Sequence, residues 1–188
     1  MKKIIYILLI ILLGEAVFAV SFFLTPGVKE IPKEKKAEEK VNTGGASLYF
    51  APDSVTVKPF QNFDTKIVLS AEEKIINSAD LYITYDPKLL EASISGGILS
   101  IKQGEYFSIF PSRTLDAKTG NIYLLGVRDF YTKAVLKSPV SLGTLTFKAL
   151  KSGKTQVKFK DPGSAMIEAD TNKNVLGETG EMEVEITD

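Results

Sequence analysis

The side chains that do most enzyme chemistry are missing from this chain, which has no His and no Cys. A Ser-His-Asp triad, a His general base, a thiolate nucleophile and His- or Cys-ligated metals are thereby excluded. Oxygen chemistry remains. Glycoside hydrolysis needs two carboxylates about 5–9 Å apart beside a groove. Asp80, Asp86, Glu91, Asp116, Asp129 and Asp161 are available. Each falls at or near a turn or an exposed strand, where solvated acids are ordinary. The chain therefore reads as a binding protein and not as an enzyme. Calcium is the other oxygen chemistry. Asp170, Asn172 and Asn174 stand at the first, third and fifth positions of a calcium-loop pattern, with Glu181 at the twelfth. Val175 takes the sixth position, where such a loop needs glycine, and Gly177 and Gly180 suit a hairpin. The run fits a calcium site only in part, and no cofactor is expected.

Balanced charge, 23 basic against 23 acidic residues in 188, gives no basic face for a nucleic acid. Absence of Trp removes the usual sugar-stacking side chain, though Tyr82, Tyr106 and Tyr123 could serve a polysaccharide.

The elements that must position these residues fall into three stretches. Residues 1–24 are a short basic start, Met1-Lys2-Lys3, and an apolar run from Ile4 to Leu24. A helix of that length spans roughly 30 Å, the thickness of a bilayer core. The same residues fit a cleaved signal peptide, with small residues near Val17-Phe18-Ala19. An uncleaved signal-anchor at 4–24, a single-pass helix with its N-terminus inside and the rest extracellular, is the reading taken. Cleavage would release the protein instead. Charge alone argues both ways, because Lys29, Lys33, Lys35, Lys36 and Lys40 follow the run. Residues 25–46 are a Lys/Glu-rich linker with Pro26, Pro32 and Gly44-Gly45, unable to bury a core.

From 47 to 188 the period is two. Ala79, Leu81, Ile83 and Tyr85 alternate with Asp80, Tyr82 and Thr84, and Leu145, Phe147 and Ala149 with Thr144, Thr146 and Lys148. Shorter candidate strands include 54–57, 66–69, 106–110, 121–127 and 181–186. Turn chemistry separates them, at Asp86-Pro87, Gly96-Gly97, Lys118 to Asn121, Asp161-Pro162-Gly163 and Gly177 to Gly180. About nine short strands with no long helical pattern read as an all-β sandwich. Alternation places Ser78, Asp80, Tyr82 and Thr84 on one face, and Tyr123 with Leu125 on one face.

The strands resemble a cohesin domain over about 47–187. The resemblance rests on the stretch Ser78-Ala79-Asp80-Leu81-Tyr82-Ile83-Thr84-Tyr85-Asp86-Pro87-Lys88-Leu89-Leu90-Glu91, an alternating strand that runs into a Tyr-Asp-Pro-x-x-Leu turn. Three more stretches follow in the family's order: Phe107 to Arg113 with its aromatic-Pro-x-Arg end, Gly120 to Leu125, and Leu142 to Ala149. The opening Ser54 to Phe60 also fits. The resemblance implies a nine-stranded jelly-roll β-sandwich that captures a dockerin-like protein partner on an exposed sheet face. It also implies roles for particular residues. Asp80 sits where dockerin-binding cohesins use an aspartate, and Ser78 replaces their frequent asparagine. Phe110 stands where they have an aromatic, and Leu125 where they have an apolar contact. Ser78, Asp80, Tyr82, Thr84, Phe110, Tyr123 and Leu125 are thus the expected partner-binding residues. Related folds bind cellulose, so a polysaccharide ligand is the competing expectation, and a structural subunit of a surface assembly is a third.

Overall fold

The computed structural model describes residues 45–71, 73–129 and 139–188. The expected leader at 1–24, and the linker apart from its last two residues, fall outside the described residues. In chain order the strands begin β1 (Ala46–Ala51), β2 (Ser54–Val57), β3 (Asn62–Ala71), β4 (Ile76–Thr84) and β5 (Leu90–Ala92). A small hairpin, β6 (Ile94–Ser95) and β7 (Ile98–Leu99), precedes β8 (Ile101–Gln103), β9 (Ile109–Asp116) and β10 (Asn121–Val127). The remainder are β11 (Val140–Ala149), β12 (Gly153–Phe159), β13 (Ala165–Glu168), β14 (Leu176–Thr179) and β15 (Glu181–Ile186). Among the described residues none is helical.

These strands make a sandwich of two main sheets. One has the order β14-β1-β3-β11-β5, with β8 also on β11. The other has the order β2-β15-β12-β4-β10-β9, with β13 also on β4. Alternation explains both. In β4 the side chains of Ala79, Leu81 and Ile83 are buried, and those between them point the other way. The same holds for Ile122 and Leu124 of β10, Leu145 and Phe147 of β11, and Met182, Val184 and Ile186 of β15. The inward rows meet in one core, where Phe50 of β1 stacks on Phe159 of β12 with ring centroids 4.4 Å apart. Each large side chain so buried stabilises the fold by roughly 1.5–3 kcal/mol.

Two local expectations are corrected. The strand expected at 106–110 begins only at Ile109. Phe107 is instead a buried plug whose ring lies where a Cβ on Gly126 would sit, 2.5 Å away. Gly126 is therefore required by close approach. The stretch Gly177 to Gly180, expected as a turn, contains β14, an edge strand running parallel to β1.

Candidate functional site

The outward face of the sheet containing β4 divides into two halves. On the β4–β10–β9 side, antiparallel register sets Tyr123 opposite Tyr82 and Leu125 opposite Asp80. Asn121 lies opposite Thr84, and Val127 opposite Ser78. The parity drawn from the sequence therefore places Ser78, Asp80, Tyr82, Thr84, Tyr123 and Leu125 on one surface. Tyr82 and Tyr123 lie with ring centroids 4.7 Å apart and planes tilted by 38°. Tyr123 reaches diagonally past Tyr82 and donates its hydroxyl to Asp80 Oδ1 at 2.7 Å. That bond to a carboxylate pushes the Tyr123 phenol up to about 12, because ionisation would set two negative oxygens together; burial and the Asp80 charge add to it.

Tyr82 is held from behind as well as from the side. Along the other edge of β4, β12 pairs only as far as Ile83, and β13 takes over at Asp80. The turn through Asp161-Pro162-Gly163 fills the gap. The Tyr82 amide donates to Ser164 Oγ at 3.1 Å, and its carbonyl accepts from the Lys160 amide at 2.7 Å.

Phe110 stands apart from the other expected contacts. A register shift between Leu125 and Val127 pairs Val127 with Ile109. The extra residue on β9 turns Phe110 toward the core edge, where its ring meets Phe107 edge-on at 6.2 Å. Ile109, 57% exposed, takes the outward position. Alternation could not find it, since a bulge resets parity. The signal was Gly126, whose missing side chain marks the site of a bulge or a close approach. Tyr106, offered above for a sugar, is half-buried, and its hydroxyl accepts from the Ile76 amide at 2.8 Å.

Three of the residues named for catalysis and calcium, Asp86, Asp116 and Asn174, have structural duties. Asp116 accepts from the Thr119 hydroxyl and the Lys118 amide, and these bonds hold its carboxyl below the usual range. Asp86 accepts from the Lys88 amide in the turn after β4. Asp170 and Asn172 lie exposed in the β13–β14 turn. Asn174 Oδ1 accepts from the Met166 and Leu176 amides. Among the described residues no group of three or more acids is placed to hold a metal ion.

The β12–β15–β2 half of the face differs. Lys154, Gln156 and Lys158 stand opposite Glu185, Glu183 and Glu181. Lys154 pairs with Glu185 at 2.8 Å, and Gln156 bonds Glu181 at 2.9 Å. Lys154, Gln156, Lys158, Glu183 and Glu185, with Ser54, Thr56, Thr84 and Asp86, line an open polar concavity of about 860 Å³.

A family model described as the cohesin domain matches residues 49–186. Solved structures agree on the fold. One similar structure is a type I cohesin–dockerin complex, Coh-OlpA with Doc918 from Clostridium thermocellum. It is 19% identical, has a TM-score of 0.61, and aligns over 77% of this chain and 100% of that one. A second is the third cohesin of ScaC from Acetivibrio cellulolyticus, bound to the ScaB dockerin. It has 12% identity, a TM-score of 0.61, and coverage of 76% and 99%. A third is a type III cohesin module from the cell-surface anchoring scaffoldin ScaE of Ruminococcus flavefaciens. It has 10% identity, a TM-score of 0.55, and coverage of 77% and 89%. Among curated proteins none matches this chain.

Proposed function

The chain belongs to the cohesin family, a family of non-catalytic protein–protein interaction modules, and from that premise we propose that it holds a dockerin-bearing partner at the cell surface. The partner docks on the β4–β10–β9 half of the outward face. One observation carries the reading: Tyr82, Tyr123, Leu125 and Ile109 surround a single linked carboxylate, Asp80, on that surface. Protein interfaces favour aromatic anchors around few charges. Function is affinity, not turnover. Tyr82, Tyr123 and Leu125 supply the buried area, Asp80 fixes register as a hydrogen-bond acceptor, and Ser78 and Thr84 contribute hydroxyls at the two ends of β4. The reading includes a nine-stranded jelly-roll count, a single-pass anchor at 4–24 with the domain outside, and 25–46 as the spacer between them.

The test is capture of purified dockerin modules, with calcium present, by the full chain and by an Asp80→Ala variant. Asp80→Ala is expected to weaken the captured dockerin by about 1 kcal/mol or more, with a smaller loss of thermal stability from the Tyr123 hydrogen bond. Capture of no dockerin removes the reading. Equal loss of affinity and stability makes Asp80 a structural residue. A polysaccharide ligand is the second reading, favoured by the exposed Tyr82 ring beside Tyr123. Glycan binding that disappears in Tyr82→Ala, without dockerin capture, would select it.

A further inference from the structure

We infer that the Tyr82–Tyr123–Asp80 cluster is a seat for a lysine or arginine side chain of the partner, an inference that rests on the protein-partner reading above. The outward side chains of β4, β9 and β10 include two carboxylates, Asp80 and Asp116, and no cation. Arg113 of β9 alternates to the other face, opposite the buried Leu124. Asp116 is spent on its own turn. Asp80 is not spent. Its Oδ1 accepts the Tyr123 hydrogen bond, and among the described residues nothing donates to Oδ2 and no cation pairs with it. Lys158 and Lys160 flank the β12 side of the cluster, and neither forms an ion pair with it.

Covering this carboxylate with a partner removes its water. A buried charge is costly unless an opposite charge and further hydrogen bonds replace that water. Tyr123 supplies one neutral donor and, with its O–H directed at Asp80, offers only lone pairs to a newcomer. Apart from the Tyr82 hydroxyl, which can turn to donate or accept, the cluster presents acceptors: Oδ2, the Tyr123 oxygen and the exposed part of the Tyr82 ring. Ring faces attract cations placed within about 6 Å of their centroids. A lysine or arginine satisfies all of these at once, and arginine offers its donors in a planar fork. A partner hydroxyl would satisfy Oδ2 and leave the charge uncompensated.

The probe is acetyl-Leu-Arg-Leu-amide, compared with the same peptide carrying citrulline, the neutral isostere of arginine. Both are titrated into the full chain while the Tyr82 and Tyr123 ring signals and the Leu125 methyl signals are followed by NMR. The arginine peptide is expected to move these signals and to bind about fivefold more tightly than the citrulline peptide. Asp80→Asn is expected to abolish that preference, and Tyr123→Phe, which keeps the ring, to retain it. Equal binding of the two peptides, or no movement of these signals, overturns the seat. Capture of a dockerin alongside equal peptide binding would reject the seat and leave the partner reading standing. Arginine preference without dockerin capture would do the reverse.

Discussion

The two halves of one sheet face share a fold and differ in what they expose. Beneath both, the inward rows are alike: Leu81, Ile122 and Leu124 under one, Val157, Met182 and Val184 under the other, all buried. Above, the β12–β15–β2 half is a ladder of Lys, Gln and Glu, and the β4–β10–β9 half carries Tyr, Leu, Val and Ile around Asp80, with Asp116 bound into its own turn at one end. A charged ladder is content in water, and its exposed pairs add little stability. Tyrosine, leucine and isoleucine there are hydrated at a cost. The difference teaches that the core is built by the inward rows, which leaves the outward rows freer to diverge.

Several measurements would break that comparison or sharpen it. The largest effect belongs to the inward row. Leu81→Ala should lose about 2–5 kcal/mol of stability in denaturant unfolding, and a cost as small as that of an outward substitution would end the division of labour. Next is Gly126→Ala. Its new Cβ falls 2.5 Å from the Phe107 ring, so about 1–3 kcal/mol should go. Loss of Ile109 exposure with it, read from NMR of that residue, would tie the outward patch to this packing.

A subtler effect is acid–base. Tyr123 titrates near 12 and an ordinary phenol at 10.0, so the fold holds this proton more tightly than the unfolded chain does. The stabilisation is intact below pH 10.0 and is lost as pH climbs toward about 12. Ultraviolet titration of Asp80→Asn should return the phenol toward 10.0, and an unchanged midpoint would deny the coupling. The smallest effect is on the ladder. Lys154→Ala should change stability by less than about 0.5 kcal/mol, and dockerin capture not at all. A loss of capture matching that of Asp80→Ala would move the interface to the other half.

Much of this was legible in the sequence because period-two alternation is local. Where β4, β10 and β11 run without interruption, parity alone assigned their faces, and six of the seven expected contact residues share a surface on that account. Parity fails where a strand is reset. The bulge beside Gly126 exchanged Ile109 for Phe110, and the reset depends on a ring, Phe107, that approaches from outside the strand. β14 was missed for a different reason: Gly177 and Gly180 signal a turn, while pairing with β1 is a long-range contact. Asn174 is similar. Its ligand-like spacing was visible, but its two backbone donors, Met166 and Leu176, come from strands on either side of its own turn.

The hand-over from β12 to β13 along one edge of β4 bears on kinetics. Three strands and the Ser164 hydroxyl clasp the segment that carries Asp80 and Tyr82. Amides gripped on both edges open to solvent late, and their hydrogen exchange should rank among the slowest in the domain. A surface so fixed meets its partner already in its bound shape. Little backbone freedom is surrendered on docking, and differences in strength between partners should then appear chiefly as differences in how long each one stays.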